Sequence, residues 1–242
     1  MNPKEDIYLS SPNSFGLKAL ETLTASKNWD SDQFARIMAT LGIIGHGQAI
    51  PAPNRPETIH LQRYRKAFEE LLRRTQETGR EHARTFFADT ESTDLVMSNK
   101  ISVGTVNEVK MHVIPQPGRE KFQTLIGSVH THPIDDQSLS HGLSGTDYKT
   151  FLSDPRQQFM IITFGENVRM MVLKTSATPN NISVERTQQR IAALEKEFFR
   201  MGGSSQVQIV DFNKTACLEF GLTLYMANKT SNDMFTRVNV VH

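Results

Sequence analysis

The segment GSVHTHPIDDQSLSHGLSGTDYKTF, residues 127–151, sets two histidines one residue apart, a proline directly after them and a Ser-x-x-Asp further on. Successive side chains of a strand alternate faces, so His130 and His132 point the same way. Pro133 ends the strand at once and leaves the pair at its mouth. Asp147 offers a carboxylate from the first turn of a helix. Two imidazole nitrogens and one carboxylate oxygen form the three-ligand set of a catalytic zinc site, whose fourth position holds water. Such an ion lowers the pKa of its water to about 7 and polarises a carbonyl oxygen. The segment lacks a proton shuttle; a carboxylate within reach of the metal-bound water should take its proton and pass it to the leaving group, a role worth roughly 10²–10⁴-fold in rate.

The elements that must position these groups are read from periodicity and from turn residues. Residues 15–50 read as helical, with Asp30 or Ser31 as a cap and Phe34, Ile37, Met38 and Leu41 on one face. GHGQAIPAPNRP reads as a linker. A helix is expected from Pro56, bearing Leu61, Tyr64, Phe68, Leu71 and Leu72 and stopped by Gly79. From Glu81 the pattern becomes extended: EHARTFFAD, KISVGTV, EVKMHVI and FQTLIGSVHTH all read as strands, with PQPG as a turn. A short helix is expected over Asp147–Leu152, then a hairpin of QQFMIITFG and VRMMVLKT around Gly165-Glu166-Asn167. Ser183 can cap a helix with Ile191, Leu194 and Phe198, stopped by Gly202-Gly203. VQIVDF and LTLYMA read as final strands. This order predicts an α/β fold around one sheet.

Composition narrows the function classes. Lys plus Arg number 27 against 26 for Asp plus Glu, a net charge of +1. That balance gives no electrostatic reason to expect nucleic acid or an anionic membrane as partner. The single cysteine, Cys217, allows no internal disulfide and no cysteine zinc site, and reads as a small buried hydrophobe. MNPKEDIYLSSPNS has no basic stretch followed by an apolar run, and FMIITF and MMVL are too short to span a bilayer. A soluble, cytoplasmic protein is expected. His46, His60, His82 and His112 have no companion ligand and read as structural or exposed. Too little chain follows His132 for the (β/α)₈ barrel of about 250 residues in which other hydrolases place a His-x-His.

HTHP followed by SGTD resembles the signature of the JAMM or MPN+ (JAB-domain) zinc metalloproteases, over roughly residues 57–175. The resemblance implies a cytidine-deaminase-like MPN/JAB domain, a central mixed sheet flanked by helices, at residues 56–176. Residues 1–55 would then be a helical N-terminal extension and linker, and residues 177–242 a C-terminal α/β extension. It implies one zinc ion held by His130, His132 and Asp147, with Ser144 helping to hold the water and the developing oxyanion. The family's general base is a glutamate at the start of an early strand. Glu81 has that placement and Glu91 is the alternative. The implied activity is hydrolysis of a peptide or isopeptide bond in a protein substrate, near the tail of a ubiquitin-like or small sulfur-carrier protein. The alternative is an inactive MPN-type scaffold that meets partners through its terminal segments. The span from Pro133 to Ser144 is longer than the family's usual spacing. Asp135, Asp136 and His141 in it read as loop polar residues.

Overall fold

The computed structural model describes residues 12–45, 48–133, 142–165, 168–180, 182–199, 205–227, 230 and 233–239. The chain is mixed α/β. Its helices are α1 (Pro12–Leu23), α2 (Ser31–Ile44), α3 (Arg65–Thr78), α4 (Gly145–Ser153), α5 (Val184–Phe198) and α6 (Gln206–Glu219). Its strands are β1 (Asn28–Trp29), β2 (Thr58–His60), β3 (His82–Asp89), β4 (Asp94–Met97), β5 (Ser102–Val103), β6 (Gln123–Thr131), β7 (Phe159–Phe164), β8 (Val168–Leu173), β9 (Thr223–Ala227) and β10 (Met234–Arg237).

The ten strands among the described residues join one sheet in the order β1-β2-β10-β9-β8-β7-β6-β3-β4, with β5 beside the start of β3. The β1–β2 and β6–β7 pairs are parallel, and the remaining pairs are antiparallel. The three stretches into which the sequence divides at residues 55 and 176 all contribute strands to it.

Helices cover both faces, as the sequence of β7 requires. Every residue of FMIITF is buried, and a strand buried on both sides reads as a continuous apolar run. Phe159 and Ile161 enter one core with Phe34, Ile37 and Met38 of α2 and Phe68 and Leu71 of α3. Met160, Ile162 and Phe164 enter a second core with Tyr148 and Phe151 of α4, Ile191 and Leu194 of α5, and Phe212 of α6. Asp30 caps α2 by accepting from the Gln33 backbone, and Gly79, with φ of 64°, ends α3.

Four expectations from sequence need correction. Residues 58–60 do not begin a helix: they pair with β1 and β10, and α3 starts only at Arg65 after a 3₁₀ turn. His60 is therefore a strand residue. EVKMHVI alternates but forms no strand, and KISVGTV keeps only the two residues of β5; the stretch around His112 is instead tied by side chains. Thr85 Oγ1 donates to the His112 carbonyl, and the His112 amide donates to Ser102 Oγ. VQIVDF is the first half of α6, not a strand. Ser205 and Gln208 make a reciprocal capping box there, and Ile209, Phe212, Ala216 and Cys217 recur on one buried face. Strands β1, which interrupts the stretch read as helical at residues 15–50, β4 and β10 were not expected. The hairpin tip at residues 166–167, His46, the Gly202-Gly203 stop and residues 134–141 lie outside the described residues.

Candidate metal centre

His130 is the penultimate residue of β6, and His132 follows its last. Thr131 between them faces the other way, with its hydroxyl against Thr75 of α3 and the His82 backbone. The two histidines therefore share a face, and their Nε2 atoms stand 3.2 Å apart. Asp147 is the third residue of α4. Its Oδ1 is 3.1 Å from His130 Nε2 and its Oδ2 3.5 Å from His132 Nε2. The ligand atoms of these three residues lie within 4.8 Å of one another.

These spacings suit one small cation. Donors at about 2.0–2.1 Å from a tetrahedral centre are separated by roughly 3.3 Å. Two imidazole nitrogens facing each other at 3.2 Å repel unless a proton or a cation stands between them. The group can hold a metal ion.

A bulge sets the aim of His130. The register of β3 against β6 shifts between Phe86 and Phe87, leaving Ile126 without a partner on β3. Alternation is broken once there. Ile126 and Val129, three residues apart, enter the same core, while Leu125 and His130, five apart, line the same cleft. Bulges re-aim side chains in this way.

Ser144 positions Asp147 as much as it starts the helix. Its amide and its hydroxyl both donate to Asp147 Oδ2 at 2.8 Å, and its Oγ accepts from the Asp147 amide. The hydroxyl expected beside a catalytic water is thus engaged with the metal-facing carboxylate. The Gly145 amide donates to Glu195 Oε1 of α5, which fixes this end of α4 against its neighbour.

Glu81 immediately precedes β3 and reaches the same place. Its amide donates to the Thr105 carbonyl and its carbonyl accepts from the Gly104 amide. Its Oε1 lies 3.7 Å from His132 Nε2, and the residue is 5% exposed. Glu91 sits at the opposite end of β3, exposed and ion-paired with Arg119. The structure brings Glu81 to the cluster and leaves Glu91 away from it. His82, on the other face, is buried with Nδ1 near Thr75 Oγ1 and the Arg80 carbonyl.

Electrostatics separates the two carboxylates in the metal-free protein. Burial pushes Glu81 up to about 7, with His130 pulling it down and Asp147 and Glu108 adding to the rise. Burial also disfavours the Asp147 anion, but the charge and hydrogen bond of His130, then His132 and the Ser144 backbone, outweigh it and hold Asp147 well below the carboxylate range. His130 is raised: burial opposes its cation, and Asp147 and Glu81 overcome that opposition. Strongly separated acids in one cleft are a mark of functional sites.

The cluster opens into a cleft of about 360 Å³. Leu125 and Met160 are among the residues that line it, and so are residues 107–111, which form one wall. That wall belongs to the irregular stretch which sequence alternation misread, so the cleft's shape was not legible beforehand. Cys217 takes no part: it is buried beside the Tyr148 hydroxyl, and burial pushes its thiol up to about 12. No helix among the described residues is long and apolar enough to cross a membrane. Comparison with protein-family models, with curated proteins and with solved structures returns no match.

Proposed function

We propose that this chain is a cytoplasmic zinc-dependent hydrolase of amide bonds of the JAMM kind. Its substrate would be a peptide or isopeptide bond near the tail of a ubiquitin-like or small sulfur-carrier protein. The observation that carries the reading is the convergence of His130, His132 and Asp147, at tetrahedral spacing, beside a buried glutamate.

Zinc bound by these three groups would acidify water and polarise the carbonyl of the scissile amide. Glu81 takes one proton from the attacking water as its oxygen bonds to the amide carbon. It then hands that proton to the amide nitrogen as the C–N bond breaks, leaving an amine and a carboxylic acid whose remaining proton passes to the amine or to solvent. A buried carboxylate within reach of that water is suited to both transfers. Ser144 keeps Asp147 turned to the metal. Burial of Glu81 and His130 limits bulk water at the reacting atoms.

The test joins metal analysis to a cleavage screen. The purified chain should carry one zinc ion per molecule. It should cleave at least one member of a panel of ubiquitin-like conjugates and precursors, and a chelator should stop it. Absence of stoichiometric zinc from protein purified without chelator would leave the scaffold reading in its place.

A further inference from the structure

A second cleft, of about 270 Å³, opens at the far end of α4. Gln158 and Lys174 stand side by side in it. The β7–β8 register pairs Phe159 with Leu173, and the Lys174 amide donates to the Gln158 carbonyl at 2.8 Å. Both side chains line the cleft, against Leu152 and Pro155.

Neither side chain is satisfied there. Lys174 is 8% exposed. Its ammonium, with three donors, makes one hydrogen bond among the described residues, at 2.8 Å to the Asp154 carbonyl, and lies 4.6 Å from the Phe151 ring centre. The Asp154 carboxylate is turned to Arg156 instead. Among the described residues no carboxylate is ion-paired with Lys174. Gln158 is 5% exposed, and its Oε1 is buried without a hydrogen-bond partner. The neighbouring hydroxyls of Thr175 and Thr178 are both spent on the Gly221 carbonyl. A buried cation held by a carbonyl and a ring but no paired carboxylate, and a bare buried acceptor, are each costly unless something fills the cleft. Burial pushes Lys174 down to about 8, with Asp154 pulling it up, and an anion in the cleft would pull it further up.

We propose that this cleft binds the carboxylate end of an α-amino acid or a peptide C-terminus, with the carboxylate on Lys174, the adjacent N–H donating to Gln158 Oε1, and the side chain against Leu152 and Pro155. The two sources share one chemistry. The site does not depend on the hydrolase reading.

Calorimetry on the full chain, with leucine, N-acetyl-leucine and leucinamide as probes, tests it. N-acetyl-leucine stands for a peptide end and leucinamide lacks the carboxylate. Saturable binding of leucine alone marks a free amino acid as the ligand, and binding of N-acetyl-leucine alone marks a peptide end. Leucinamide should not bind. Lys174→Met should weaken binding about 10–100-fold, the factor for losing a charge-assisted hydrogen bond. Amide shifts of the unaltered protein should centre on Thr175 and Thr178, which locates the site even if Lys174→Met folds poorly. No saturable binding of either acid up to ~10 mM, or shifts centred on His130, would overturn the proposal.

Discussion

At the scale of single residues, the metal cluster is a set of local facts. His130→Ala or Asp147→Ala should abolish stoichiometric zinc by elemental analysis, because two remaining donors hold the ion poorly. Glu81→Gln should keep the zinc and the fold yet lower turnover roughly 10²–10⁴-fold. Retained turnover against a verified substrate would remove Glu81 from the chemistry. The same residue predicts a pH effect in the metal-free protein. Its carboxyl ordinarily titrates at 4.5 and is raised to about 7 in the fold. Between those values the folded state keeps a proton that the unfolded state has lost. Stability therefore falls as pH rises through that window. With zinc removed, Glu81→Gln should melt higher than the parent at pH 8 and alike at pH 4. Equal melting at both would mean that Glu81 is better solvated than its burial indicates. The histidine pair was legible because a period of two is a local rule. Asp147 was legible because helix capping has a fixed spacing. Glu81 reaches the cluster through the pairing of His82 with Thr131 across β3 and β6, which no local pattern encodes. The resemblance, rather than any periodicity, picked it out.

At the scale of elements, Ser144 and Gly127 decide how firmly the ligands are held. Ser144→Ala removes a helix cap, costing about 0.5–2 kcal/mol of stability. It also removes one of the two donors that orient Asp147 Oδ2, and loss of such an outer partner typically weakens metal binding 10–100-fold. Chelator competition should show that loss; unchanged zinc affinity would confine Ser144 to capping. Gly127 lies on β6 three residues before His130, and a Cβ there would stand 2.5 Å from the Phe159 ring. That ring is packed against Phe34 and Phe86, each with centroids 5.1 Å away, and has no room to retreat. Gly127→Ala should cost about 1–3 kcal/mol by overpacking, read as a lower denaturation midpoint. Elements misread from sequence failed for identifiable reasons. VQIVDF is apolar enough for a strand, but the Ser205–Gln208 capping box outweighs that run. EVKMHVI alternates, yet no neighbouring strand takes its backbone bonds. The bulge at Ile126 is signalled in the sequence only by Gly127 beside it, an isolated glycine within a strand.

At the scale of the whole molecule, the candidate metal site depends on a sheet whose two faces are covered by helices from distant parts of the chain. Phe34, Ile37 and Met38 of α2 are fully buried. They share a core with Phe86 of β3, the strand that follows Glu81, and Val129 of β6, the strand that carries His130. Residue 55 lies in a stretch that reads as a linker, yet the packing makes α2 one layer of the fold. A chain beginning at residue 56 would expose the apolar face formed by Phe86, Ile126, Val129, Phe159 and Ile161. A Phe-to-Ala change in such a core costs about 3–5 kcal/mol, and removing α2 deletes several such contacts at once. That exceeds much of the 5–15 kcal/mol that stabilises a typical domain. The truncated chain, residues 56–242, should therefore show no cooperative thermal transition and no zinc-dependent stabilisation in calorimetry. Phe34→Ala should unfold cooperatively at a lower temperature and still bind zinc, since it leaves the layer in place. A truncated chain that melts sharply and takes up one zinc ion would show that residues 56–242 fold independently, and that α2 only covers them.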